Sequence, residues 1–169
     1  MRELLQDISN IAISNNEEID TSIAVDNNWL GFDSVSNDEI EQLELRLSTQ
    51  LPEDYISFLK ITNGFRKFCS IDSGFEPIDN VDYLTNLNRG LASHWLELEY
   101  DFPEIVSRLK TCIVIGGIEH DEQQFLLIPP GKLNKSWLYW KFSNWGLGEI
   151  EYNGIRGYLE DSLKLMQSQ

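Results

Sequence analysis

Groups able to do chemistry at neutral pH are few and scattered along this chain. A cysteine or serine nucleophile needs a nearby base, and only His94 and His120 are available. Neither stands in a supporting motif. His94 lies in Ala92-Ser93-His94-Trp95-Leu96, where packing or an edge position explains a histidine better than catalysis does. There is no Gly-x-Ser-x-Gly elbow and no glycine loop of the kind that cradles phosphate. Glu119-His120-Asp121-Glu122 brings imidazole and carboxylates together, which are plausible metal ligands. Neighbours on an extended chain point to opposite sides, however, so four in a row converge only in a special loop. A polar turn between two strands is the simpler reading. With 28 acids in the chain, any chosen carboxylate pair is uninformative about acid–base work. No metal and no cofactor is expected, and no catalytic residue is assigned.

Charge and tryptophan remain. The chain has 169 residues, 28 Asp plus Glu against 13 Lys plus Arg, and a net charge of −15. Residues 1–60 hold 13 acids and 3 bases, whereas residues 61–169 hold 15 acids and 10 bases. Such an excess repels phosphate backbones and anionic lipid, so neither nucleic acid nor a membrane surface is an expected partner. It suits solubility and the attraction of a basic partner equally well. Glu119, Asp121 and Glu122 concentrate acids without adjacent bases and are candidate contacts for such a partner. Trp137 and Trp140 are an odd number of residues apart, so on a regular strand they face opposite sides and one can reach a surface. Core packing accounts for each tryptophan, but an exposed one anchors a protein partner well. Trp140 and Trp145 are the candidates.

The elements that must position these residues follow from periodicity. Leu4, Leu5, Ile8, Ile11 and Ala12 form one stripe of a helix over 2–14. Ser36 followed by Glu39 is a capping box, so a helix begins near Asn37 with Ile40, Leu43 and Leu47 on its buried face. Leu51-Pro52-Glu53-Asp54-Tyr55 opens the next helix, which carries Phe58 and Leu59 and stops at Asn63-Gly64. These two make a helical hairpin. Phe68–Ile71 and Phe75–Ile78 are predicted to pair as strands around Asp72-Ser73-Gly74. Short helices are expected around 83–87 and 103–110. Strands are expected at 111–115, 124–128, 137–142 and 145–152, and a closing helix carries Ile155, Tyr158, Leu159, Leu163 and Met166. The class is therefore α+β: an N-terminal helical hairpin packed on a central antiparallel sheet, with a closing C-terminal helix. One domain over 1–169 is expected, with 1–28 a helix and loop that are either part of it or an appendage. Two cysteines, Cys69 and Cys112, are expected as free thiols in a cytoplasmic protein. No apolar run approaches the ~20 residues of a membrane span, and residues 1–30 lack the pattern of a secretory signal.

Taken whole, Trp29-Leu30-Gly31, Ile40-Glu41-Gln42-Leu43-Glu44, Leu51-Pro52-Glu53-Asp54-Tyr55, Phe58-Leu59 and Asn63-Gly64 resemble the SUKH superfamily. That group takes in fungal cell-wall regulators and many bacterial immunity proteins. Ile115-Gly116-Gly117 with Phe125–Ile128 looks like its central strand pair, and Gly157-Tyr158-Leu159 resembles the start of its closing helix. Phe65 departs from the pattern, since many relatives have a second glycine there, and the tryptophan-rich strand from Trp137 to Trp145 is longer than the family's. The resemblance implies an α+β fold without catalysis and structural roles for the motif residues. It also implies a non-catalytic immunity protein that neutralises a cognate protein toxin, a nuclease of a contact-dependent or polymorphic system being one form. The alternative is a regulatory or scaffold domain with an endogenous partner. A monomer or weak dimer is expected.

Overall fold

The computed structural model describes residues 1–15, 28–69, 74–87, 89–117, 123–143 and 149–168. The chain forms two compact units, one of residues 1–79 with 153–169 and one of residues 80–152. The class is α+β. Among the described residues no helix is long and apolar enough to cross a membrane.

Unit one holds helices α1 (Arg2–Ser14), α2 (Asn37–Leu47), α3 (Glu53–Leu59) and α7 (Ile155–Gln167). α1 buries Leu4, Leu5, Ile8 and Ala12, as its stripe predicts, and packs against α7. The stripe also contains Ser9, whose hydroxyl donates to Leu5 O and accepts from Leu30 N. A serine is tolerated at this buried position because both of its hydrogen-bonding functions are met. α2 starts at the expected capping box: Ser36 Oγ accepts from Glu39 N, and the Glu39 carboxylate accepts from Ser36 N at 2.8 Å and Ser36 Oγ at 2.6 Å. Pro52 occupies the cap position immediately ahead of α3, and its carbonyl accepts from Ile56 N. Tyr55, Phe58 and Leu59 are fully buried.

Asp54, exposed to the chain's charge excess by sequence alone, has a specific task. Its carboxylate accepts from Ile155 N at 3.2 Å, so a residue of α3 satisfies the free amide at the start of α7, 101 residues away. Gly154 permits the approach, since a β-carbon there would lie 2.6 Å from the Asp54 carboxylate. An aromatic cluster fills the space around α3 and α7: Phe58 meets Phe75 at 5.0 Å, and Tyr158 meets both Phe75 and Phe68.

Among the described residues of the strands predicted at 68–71 and 75–78 no ladder is present. Phe65 instead pairs with Phe75 through an isolated bridge, and with Gly31 through another. Residues 70–73, the end of the first expected strand and most of the turn, lie outside the described residues. The apolar side chains of this stretch are buried because they feed the aromatic cluster, and burial of that kind imitates a strand pattern without a ladder.

Unit two is a five-stranded antiparallel meander in the order β1 (Asp82–Tyr83), β2 (Ile113–Gly116), β3 (Gln123–Ile128), β4 (Leu138–Ser143), β5 (Glu149–Tyr152). Helices α4 (Leu84–Leu87), α5 (Arg89–Glu97) and α6 (Pro103–Leu109) lie between β1 and β2 in the chain. Leu84, Trp95 and Leu109 from this helical stretch join Val114, Leu126, Ile128, Trp140 and Phe142 in one core cluster. Val114, Leu126 and Trp140 form a single cross-strand row, which fixes the register of β2 to β4. β1 and α5 were not anticipated. β1 has only two residues, and α5 carries Gly90 and a stripe shortened to Ala92 and Trp95 among its described buried residues.

Two outcomes test this account. Ser36→Ala should lower stability by about 1 kcal/mol in chemical denaturation. Ser36, first through its hydroxyl and then through its backbone N–H, holds the Glu39 carboxyl below its usual range. A folded-state pKa lowered in this way adds stability above the ordinary carboxylate range, and that contribution disappears as pH falls through the lowered value. The stability gap between the wild type and Glu39→Gln should therefore close on acidification; a gap that is constant down to strongly acid pH would contradict the capping role.

Candidate functional site

The predicted binding residues separate on inspection. Glu119, Asp121, Glu122 and His120 lie outside the described residues, in the connection from β2 to β3, and so does Trp145. Trp140 is corrected: it is 1% exposed and sits in the core of unit two. Its Nε1 donates to Glu151 on the neighbouring strand, and Arg108 of α6 stacks on its ring at 5.3 Å. A tryptophan satisfied in this way cannot anchor a partner. Alternation assigned Trp137 and Trp140 to opposite faces, but Trp137 precedes β4 and is half-buried. His94 lies on the exposed side of α5 beside the buried Trp95.

Both cysteines are free and buried. Burial pushes the Cys112 thiol up to about 12, so it is protonated and inert at neutral pH. Tyr55, likewise buried, is held above its ordinary range by burial and then by Glu76. Among the described residues no group of three or more His, Cys, Asp or Glu is placed to hold a metal.

The motif residues of unit one come together, and their arrangement explains their types. Leu30 to Val35 runs alongside the end of α3 and the segment after it: Arg66 N donates to Leu30 O, Asn63 N to Asp33 O, and Val35 N to Leu59 O. Thr62 Oγ1 accepts from Phe32 N at 2.7 Å and donates to Gly64 O. Asn63 Oδ1 accepts from Ile78 N, which ties the same corner to the chain beyond Phe75. At Gly31 a β-carbon would stand 2.5 Å from Thr62 Oγ1 and 2.6 Å from the Trp29 ring. Gly64 has φ +86°, and a β-carbon there would press on backbone atoms of Phe75, Glu76 and Pro77 at 2.8 Å. Leu51 N donates to Glu44 Oε1, which closes the connection between α2 and α3. The residues of the sequence pattern are thus largely occupied in holding the fold.

Trp29 is the exception in part. It is half-buried, with its ring edge-on to Phe65 at 5.8 Å and Arg2 above it at 5.0 Å. Together with Phe32, Lys60 and Arg66 it borders a surface cavity of about 750 Å³ in unit one. Sequence reasoning identified Trp29 as a core element and missed the cavity, because its basic residues are 58 and 64 positions from Arg2 in the chain and share no motif.

The model of the SMI1 / KNR4 family (SUKH-1) matches residues 34–164. No curated protein matches the chain.

Two substitutions separate the structural from the exposed role of this corner. Gly64→Ala combines a strained φ with a backbone clash and should cost about 2 kcal/mol or more. Trp29→Ala removes a half-buried ring and should cost about 2 kcal/mol, less than a fully buried tryptophan would. A loss of about 3–5 kcal/mol from Trp29→Ala in denaturant titration, the range of a fully buried aromatic, would show that Trp29 is simply core.

Proposed function

The chain belongs to the SMI1/KNR4 family (SUKH-1), and from that membership we propose that it is a non-catalytic immunity protein that binds and blocks a cognate toxin of basic character in the cytoplasm. The observation that carries the reading is the net charge of −15 on a domain of this family. Enzymes that act on nucleic acid tend to present basic grooves to phosphate, and an acidic partner both approaches such a groove quickly and competes for it. Pairing does not cancel the excess: the ion pairs Lys110–Glu99, Arg156–Glu160 and Lys164–Asp161 are all exposed and each uses one acid per base. Exposed pairs add little to stability, so the surplus of acids acts chiefly through its field.

Charged surfaces of opposite sign raise the rate of encounter more than they slow separation. If the reading holds, the partner co-purifying from native cells is a basic protein whose toxicity is abolished by co-expression with this chain. Its association rate should fall at least tenfold as the ionic strength rises from about 0.05 to 0.5 M, because the screening length shrinks several-fold over that range. Reversing Glu119, Asp121 and Glu122 to lysine should slow association by about tenfold with little effect on folding. A partner without toxicity would instead favour the regulatory or scaffold alternative, and an association rate indifferent to salt would rule out steering by this surface.

A further inference from the structure

Unit one is the most acidic part of the sequence, yet its surface cavity is bordered by basic residues. Residues 1–60 contain only three bases, and two of them, Arg2 and Lys60, line this one hollow together with Arg66. Two acids also border it. Glu39 is committed to the Ser36 cap, and Asp33 is exposed. Lys60 is exposed and forms no ion pair or side-chain hydrogen bond with the described residues.

Arg66 is held in place rather than free. Its Nη1 donates to Leu30 O at 3.2 Å and Gly31 O at 3.1 Å, and its guanidinium lies 4.3 Å from the centre of the Phe32 ring. That leaves the opposite edge. Nε is buried and finds no acceptor among the described residues, and no described group engages Nη2. Nη2 is therefore the guanidinium nitrogen left to donate to a carboxylate entering the cavity. Trp29 and Phe32, the latter 36% exposed, supply apolar walls beside it.

We propose that this cavity receives an acidic side chain of the protein partner, flanked by an apolar residue, with Arg66 gripping the carboxylate, Lys60 and Arg2 adding charge, and Trp29 and Phe32 taking the apolar neighbour. The inference rests on the binding-protein reading above and refines it. A positive island in an acidic surface rejects a partner that is basic throughout and admits one whose acid falls in register, which gives specificity beyond bulk attraction.

The test uses the full chain, isotopically labelled, and two capped tetrapeptides, Gly-Glu-Phe-Gly and Gly-Gln-Phe-Gly, so it needs no toxin. The glutamate peptide should shift the Trp29 indole and Arg66 Nε–H resonances with a Kd on the order of 1 mM, the range expected of a single small contact. The glutamine peptide should bind at least tenfold more weakly. Lys60→Glu, a change at an exposed side chain, should weaken the glutamate peptide at least tenfold while the unfolding midpoint stays unchanged. Arg66→Lys keeps the charge but loses the planar guanidinium held on Leu30 O and Gly31 O, and should weaken it as well. Equal binding of the two peptides, no shift at these resonances, or inorganic phosphate competing more strongly than the glutamate peptide would each overturn the proposal. A failure here leaves salt-dependent capture of a basic toxin standing, whereas loss of that salt dependence with the peptide result intact would remove the toxin reading alone.

Discussion

Residues 30–35 run so close to residues 59–66 that position 31 has no room for a side chain of its own. Gly31 provides the gap, Thr62 fills its far side with a hydroxyl that both accepts and donates, and Phe65 bridges to Gly31 on one side and to Phe75 on the other. Much of unit one depends on this crossing. It sets where α3 ends, it holds the corner at Asn63 and Gly64, and it delivers Phe65 and Phe75 to the aromatic cluster shared with Tyr158. The backbone amides involved would otherwise be buried without acceptors, each at a cost of roughly 1–3 kcal/mol.

The same crossing produces the surface hollow. Arg66 N donates to the carbonyl of Leu30 and Nη1 to those of Leu30 and Gly31, which holds its guanidinium over Phe32, and beside them Arg2 lies over the Trp29 ring. A device for closing the fold thus also orders a basic, aromatic-walled recess. Rigid placement of a guanidinium lowers the entropy lost when it binds a carboxylate, which is why a held arginine makes a better receptor than a free one.

Long-range satisfaction of helix ends is the second organising feature. Asp54 reaches the first amide of α7 from α3, so the acidic pair in the motif Leu51–Tyr55 does two jobs: its charge favours the start of α3, and one carboxylate serves another helix altogether. In unit two the comparable economy is at Trp140, whose ring fills the core while Glu151 and Arg108 take up its polar and cationic contacts.

The sequence by itself determined the parts whose physics is local. The capping box at Ser36 and Glu39, the proline before α3, the stripes of α1 and α7, and the strands around Ile113–Gly116 and Gln123–Ile128 are all written in neighbours a few residues apart, whereas α3 ends at Leu59, ahead of the expected stop at Asn63-Gly64. The net charge of −15 follows from composition alone. The tertiary structure decided what depends on distance. It placed Phe75, expected in a strand pairing with 68–71, in an isolated bridge to Phe65, because burial alone cannot tell a ladder from a packed loop. It placed Trp140 inside, since alternation says that two faces differ and not which one is covered. It gathered Arg2, Lys60 and Arg66 around Trp29, a grouping that no spacing along the chain encodes because the folded backbone alone brings them into one place.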